Sequence, residues 1–156
     1  MAVAGTILRT LEERGIGWGL VPHPKTYSTH GSAEAAHVPA DHIAKAVIVQ
    51  DAQGYAMVVV PGDHWVKLDA LNEETGRQFQ LAEEHDIDAL FSDCLPGAVP
   101  PLGAAYGLET FLDEALTSLA QVYFEAGDHE QLVRVAGEHF LTLLHGVRRG
   151  HFSHDA

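Results

Sequence analysis

The chain has three lysines, Lys25, Lys45 and Lys67, and Lys45 stands in the apolar run Ile43-Ala-Lys-Ala-Val-Ile-Val49. If that run is a strand, Lys45 shares a face with Ile43, Val47 and Val49 while Ala44, Ala46 and Ile48 line the other, so neither face is polar. An ammonium held among apolar neighbours costs free energy unless it reaches a partner or an anionic ligand, and burial lowers its pKa. Two readings are open: a stem laid on the core with its head in water, or a cation aimed at a ligand. The second chemically suggestive stretch is Pro96-Gly-Ala-Val-Pro-Pro-Leu-Gly103. Its prolines fix φ and its glycines permit close backbone approach. The amide N–H groups of Gly97, Ala98 and Val99 are then available to a carbonyl or phosphate oxygen, because Pro100 and Pro101 donate nothing. The plainer reading of this loop is a crossover between a helix and a strand.

Other candidates carry less. The pairs His37 and His42, His139 and His145, and His151 and His154 match no metal-ligand spacing, and no His-Glu-x-x-His occurs, so no metal or cofactor is expected. Cys94 has no partnering cysteine and reads as a small apolar residue rather than a nucleophile. Asp93 and Asp113 have no sequence relation that makes them a catalytic pair. No Gly-x-Ser-x-Gly, P-loop or Gly-x-Gly-x-x-Gly motif is present.

These residues need a scaffold, and the hydrophobic pattern supplies one. Ala4, Ile7, Leu8 and Leu11 make the stripe of a first helix that Gly15 stops. Trp18–Val21 reads as a short strand, 23–31 as a turn-rich loop, and Ser32 as the N-cap of a helix over 33–37. Ile43–Gln50 and Tyr55–Val60 form a hairpin around Asp51-Ala-Gln-Gly54. A helix over 70–75, capped by Asp69 and closed by Gly76, precedes a strand at 79–81 and a helix over 83–91. Strands follow at 108–112, 121–125 and 132–136, then a helix over 137–144 with Phe140, Leu141 and Leu144 on one face. The class is α/β (α+β), one domain over residues 1–147 with a curved mixed sheet flanked by helices; 148–156 reads as a flexible tail.

Composition bounds the function. The 156 residues are 46% hydrophobic and 20% charged, as in an ordinary globular domain. Nine Lys and Arg against 22 Asp and Glu give −13, which excludes a general nucleic-acid coat protein and DNA as a partner. The eleven histidines would bring −13 to −2 if all were protonated. One cysteine fits a reducing, cytoplasmic setting. Residues 1–15 read as an amphipathic helix rather than a leader, and no apolar run reaches the roughly 18 residues of a membrane span.

Taken together, the lysine that opens a β-hairpin and the Gly97-x-x-x-Pro101 loop about fifty residues later resemble the YbaK/ProX family of aminoacyl-tRNA deacylases. The resemblance spans nearly the whole chain, including the Ala-Glu-Ala-Ala segment, Val58-Val-Val-Pro-Gly62, Asp113 and the last helix near Phe140. It implies the fold of the insertion domain of bacterial prolyl-tRNA synthetases and a trans-editing reaction, hydrolysis of the ester between a wrong small amino acid and its tRNA. Such a second site is needed because a synthetase pocket discriminates one methylene by only about 1–3 kcal/mol. The resemblance gives Gly97 and Ala98 the developing oxyanion, Val99, Pro100 and Pro101 the aminoacyl group, and Lys45 the terminal phosphate or the ester. It implies that the tRNA's own ribose hydroxyl helps to position the water. Tyr27, His30 and His129 are expected on the pocket wall because they lie in its two variable loops. The segment 124–130 departs from the family's known specificity types and leaves the amino acid open. The implied partners are the 3′ CCA end of an aminoacyl-tRNA, with weak stand-alone affinity, and a synthetase that holds the rest of the tRNA. The competing reading is a binding or regulatory module that recognises an aminoacyl-like small molecule or a protein with the same pocket.

Overall fold

The β-branched run at 43–60 builds the centre of the molecule. In the computed structural model, which describes residues 4–26 and 29–155, it forms β2 (Ala44–Asp51) and β3 (Gly54–Pro61), paired antiparallel in register from Ala44↔Pro61 to Asp51↔Gly54. β3 is buried from Ala56 to Pro61, as a central strand covered on both faces must be. β5 (Gln80–Leu81) pairs with β2 over Val49 and Gln50 only. On the other side β6 (Glu109–Asp113) pairs parallel with β3, and β9 (Arg148–Gly150) parallel with β6, giving the order β5-β2-β3-β6-β9. A separate antiparallel sheet has the order β1-β8-β7, from β1 (Gly19–Pro22), β7 (Gln121–Glu125) and β8 (Gln131–Ala136). A bridge from Ile43 to Tyr123 joins the two sheets where β2 begins.

Alternation of side chains divides the core. On one face of the large sheet, Ala44, Ile48, Met57, Val59 and Leu112 pack with Ile7 and Leu11 of α1 (Gly5–Glu13). Phe140 and Leu143 of α5 (Gly137–Leu143) and Val122, Phe124 and Val133 of the small sheet complete that cluster. On the opposite face, Val49, Val58, Val60 and Phe111 meet Phe79, Phe152 and Leu71 of α3 (Leu68–Thr75). A third cluster seats Ala33 of α2 (Thr29–Ala36) on Ile43 and Leu132. α4 (Glu84–Leu90) lies against the first cluster through Ile87 and Leu90. Arg77 clamps the hairpin turn, donating from Nε (2.6 Å) and Nη2 (2.9 Å) to Asp51 and from Nη1 to Glu109.

Three expectations need correction. The segment 148–155 is not a free tail: beyond β9, β10 (Ser153–Asp155) pairs with β4 (His64–Val66), and Phe152 between them is fully buried. Long-range bonds fix it as well as strand pairing: Phe152 N–H donates to Asp113 Oδ2 at 2.9 Å, Ser153 Oγ donates to the same oxygen at 2.8 Å, and Phe152 C=O accepts from Lys67 N–H at 2.6 Å. Ser32 does not cap α2, which begins three residues earlier; its buried hydroxyl lies 2.7 Å from Thr26 Oγ1. Asp69 lies inside the first turn of α3, whose N-cap position is Lys67, and makes no capping bond there, whereas Gly76 closes the helix at φ 66° as its sequence position predicts.

Asp113 also accepts Ala115 N–H at 2.9 Å. Its replacement by alanine strands a buried amide and is expected to cost about 2 kcal/mol. Chemical denaturation measures that loss, and hydrogen exchange at Phe152 and Ser153 should accelerate; unchanged exchange there would show that Asp113 is not the tether.

Candidate active site

The site is built where β2 has an open edge. β5 covers that edge only at Val49 and Gln50, and the Ile43 bridge closes it at the other end. Ile48 accepts a hydrogen bond from Ala82 N–H at 3.0 Å on this edge, and by the alternation of an antiparallel ladder Ala46 turns its own N–H and C=O the same way. A cavity of about 290 Å³ opens there, lined by Ala46, Ile48, Ile87, Pro96, Gly97 and Val99, with Glu84 and Asp88 among its other walls. It is a mainly apolar chamber with two carboxylates and a strand edge that can hydrogen-bond.

The proline loop forms one wall as the sequence suggests, with two revisions. Gly97 sits at φ 79°, a left-handed conformation that explains glycine there. Ala98 N–H is not available to a ligand, because it donates to Leu95 C=O at 3.0 Å and the residue is fully buried. The amides of Gly97 and Val99 take no partner among the described residues. Pro100 and Pro101 are buried and anchor the loop rather than line the cavity beside Gly97.

His129 holds the loop from behind. It is 2% exposed, its Nε2 lies 2.6 Å from the Pro96 carbonyl, and its backbone has a positive φ of 58°. Its Nδ1 lies 4.0 Å from Oε2 of Glu125, itself 3% exposed. Burial pushes the Glu125 carboxyl up to about 7; the Ser32 hydroxyl opposes the rise and Asp128 adds to it. Asp128 fixes the turn before β8 by accepting from Glu130 N–H (3.0 Å), Gln131 N–H (3.1 Å) and Gln131 Nε2 (2.9 Å). Glu125 did not stand out in sequence, although a carboxylate in an apolar run with histidine four residues on is a usable signal.

Lys45 is placed differently from the loop. Its side chain leaves β2 on the face opposite Ala46 and Ile48, and its Nζ donates to His64 C=O at 2.6 Å and lies 5.5 Å from the centre of the Trp65 ring. Burial lowers its pKa, with Asp63 acting against that. No hydrogen bond joins Lys45 to residues 96–101 among the described residues. The ammonium and the free loop amides therefore lie on the two sides of one strand.

Tyr27 lies outside the described residues, and so does the side chain of His30, whose backbone is in α2. Burial pushes the Cys94 thiol up to about 12, which disfavours the thiolate that a nucleophile needs. Asp93 and Asp113 serve separate networks, the first accepting from Thr6 N–H (3.2 Å) and Tyr106 Oη (2.9 Å), the second holding the C-terminal segment. No helix among the described residues is long and apolar enough to cross a membrane.

Comparison with known proteins places this geometry. Solved structures share the fold over nearly the whole chain. The hypothetical protein APE2540 is 24% identical with a TM-score of 0.84, covering 96% of this chain and 99% of its own. A proposed trans-editing enzyme for prolyl tRNA synthetase is 24% identical with a TM-score of 0.83, covering 97% and 96%. A proposed signal transduction protein from Marinobacter aquaeolei VT8 is 18% identical with a TM-score of 0.80, covering 96% of this chain and 30% of its own. At these identities the likeness is one of fold. No curated protein matches the chain. The family model of the aminoacyl-tRNA editing domain matches residues 23–143, which contain the hairpin, the cavity and the proline loop, and the chain belongs to that family.

Proposed function

We propose that the chain is a trans-editing hydrolase that removes a small, wrongly attached amino acid from tRNA, with tRNA-Pro as the expected carrier. The observation that carries this reading is the cavity at the open edge of β2, beside two unpaired amides of a loop with fixed shape. Its volume suits a small amino acid, its apolar wall suits a short side chain, and Glu84 and Asp88 suit the α-ammonium of an aminoacyl ester. Water attacks the ester carbonyl carbon and gives up a proton, the carbonyl oxygen takes the negative charge, and as the C=O re-forms the bond to the ribose oxygen breaks and that oxygen takes up the proton, leaving the free amino acid and a ribose hydroxyl. Gly97 and Val99 N–H groups stabilise the oxyanion where it forms, a contribution worth about 3 kcal/mol per donor in acyl-transfer enzymes. Lys45 lies beyond the strand and acts on the nucleotide rather than on the ester carbonyl.

The setting of Lys45 also favours a second reading, a binding module, because its ammonium is engaged at His64 and Trp65 instead of entering the cavity. Gly97→Ala separates the two. Its left-handed φ is unfavourable for alanine by about 1–2 kcal/mol, so the loop amides shift. The editing reading predicts a drop in kcat of at least tenfold with little change in KM for a mischarged tRNA. A wild-type protein that binds an aminoacyl-tRNA and never releases the amino acid would establish the module instead.

A further inference from the structure

Trp65 is 59% exposed, the most open of the large hydrophobic side chains among the described residues, and its ring meets the Lys45 ammonium. Lys45 Nζ is held 5.5 Å from its ring centre by the bond to His64 C=O. Lys67 follows one residue beyond β4, so two of the three lysines in a chain of net charge −13 flank this short strand. His154 is the cross-strand partner of Trp65 and is exposed beside it, since directly opposed residues project to the same face. Asp63, next to His64, is the acidic group that faces Lys45. A flat, solvent-facing indole backed by an ammonium on an otherwise acidic protein matches a nucleobase with its phosphate: every base offers a π-face, and the ammonium meets the anion.

We propose that Trp65, with Lys45 behind it, is the stacking seat for the 3′-terminal adenine of the tRNA. This rests on the deacylase reading above and adds the nucleotide's place to it. Lys45 and Ala46 are consecutive, their side chains fall on opposite faces of β2, and the edge between the Ile43 bridge and Ile48 pairs with no strand among the described residues. An aminoacyl-adenosine lying around that edge has its base on Trp65, its phosphate near Lys45 and its aminoacyl group in the cavity beside Gly97. The proposal also gives an acidic enzyme its grip on tRNA, one stacked base and a few charges on a single-stranded end.

The probe is the trinucleotide CpCpA, with CpC as control, titrated into the whole protein while the two indole N–H resonances are followed by NMR. CpCpA should shift the Trp65 signal, assigned with Trp65→Phe, and leave that of Trp18 in place. Trp65→Ala should weaken CpCpA binding about tenfold or more and leave CpC binding unchanged. In deacylation the same variant should raise KM by a similar factor with kcat within twofold, and an unchanged melting temperature would show that it folds. A wild type whose Trp65 signal ignores millimolar CpCpA, or a Trp65→Ala variant with wild-type CpCpA affinity and KM, overturns the seat. CpCpA binding at Trp65 by a protein that hydrolyses no aminoacyl-tRNA would sink the deacylase reading and leave the seat standing.

Discussion

Lys45→Ala is expected to abolish deacylation, lowering kcat/KM at least a hundredfold, while the protein stays folded. The lysine is half-buried, and its Nζ is engaged by His64 C=O and the Trp65 ring. Removing it takes one donor from the His64 carbonyl, a loss of about 1–2 kcal/mol that a domain of ordinary stability tolerates. The functional loss is larger because a cation beside the open edge of β2 disappears from a body of charge −13, so the terminal phosphate meets a more acidic surface. Lys45→Arg should recover part of the activity, since it keeps the charge but brings a planar fork in place of a compact ammonium. The comparison is made by single-turnover hydrolysis beside a circular dichroism melt. Full activity in Lys45→Ala would remove the residue from the mechanism.

The second large effect concerns Glu125. An acid whose pKa is raised on folding, here from 4.5 to about 7, binds its proton more tightly in the folded protein. Its contribution to stability is complete below about 4.5 and is lost as pH rises toward 7, above which it changes no further. The span corresponds to roughly 3 kcal/mol, at 1.36 kcal/mol for each tenfold change in proton affinity. Glu125→Gln, which cannot ionise, should match wild type near pH 4.5 and exceed it by roughly 3 kcal/mol at pH 8. Unfolding by urea at a series of pH values measures the difference; parallel curves for the two proteins would show that Glu125 ionises normally. The site feels this because His129 stands between Glu125 and the Pro96 carbonyl. A charge developing under that histidine acts on the loop that carries Gly97.

The hairpin, the individual strands of the small sheet and the last helix were legible because each depends on a local pattern, such as the β-branched runs at 43–60 and the apolar face around Phe140, whereas the separation of β1-β8-β7 into its own sheet was not. Gly76 was legible as a stop because a left-handed residue is what ends a helix. What could not be read depends on partners far away in the chain. The segment 148–155 has two arginines, two histidines and one phenylalanine, which is the composition of a solvated end. Pairing with β6 and β4, and the tether to Asp113 39 residues earlier, make it structure. Ala98 looked available in sequence, yet a turn to Leu95 uses its amide. Lys45 was recognisable as unusual from its apolar neighbours, but its direction was set by the carbonyl of His64 on the strand that follows the hairpin. Alternation did place Lys45 and Ala46 on opposite faces, and the separate places proposed for the nucleotide and the amino acid rest on that separation.

The most direct measurement is hydrolysis of tRNAs mischarged with Ala, Cys, Ser, Thr and Pro, run side by side with wild type and Lys45→Ala. The account predicts that wild type releases at least one small amino acid well above the buffer rate and that Lys45→Ala releases none faster than buffer. Equal release of every amino acid by the two proteins would contradict it.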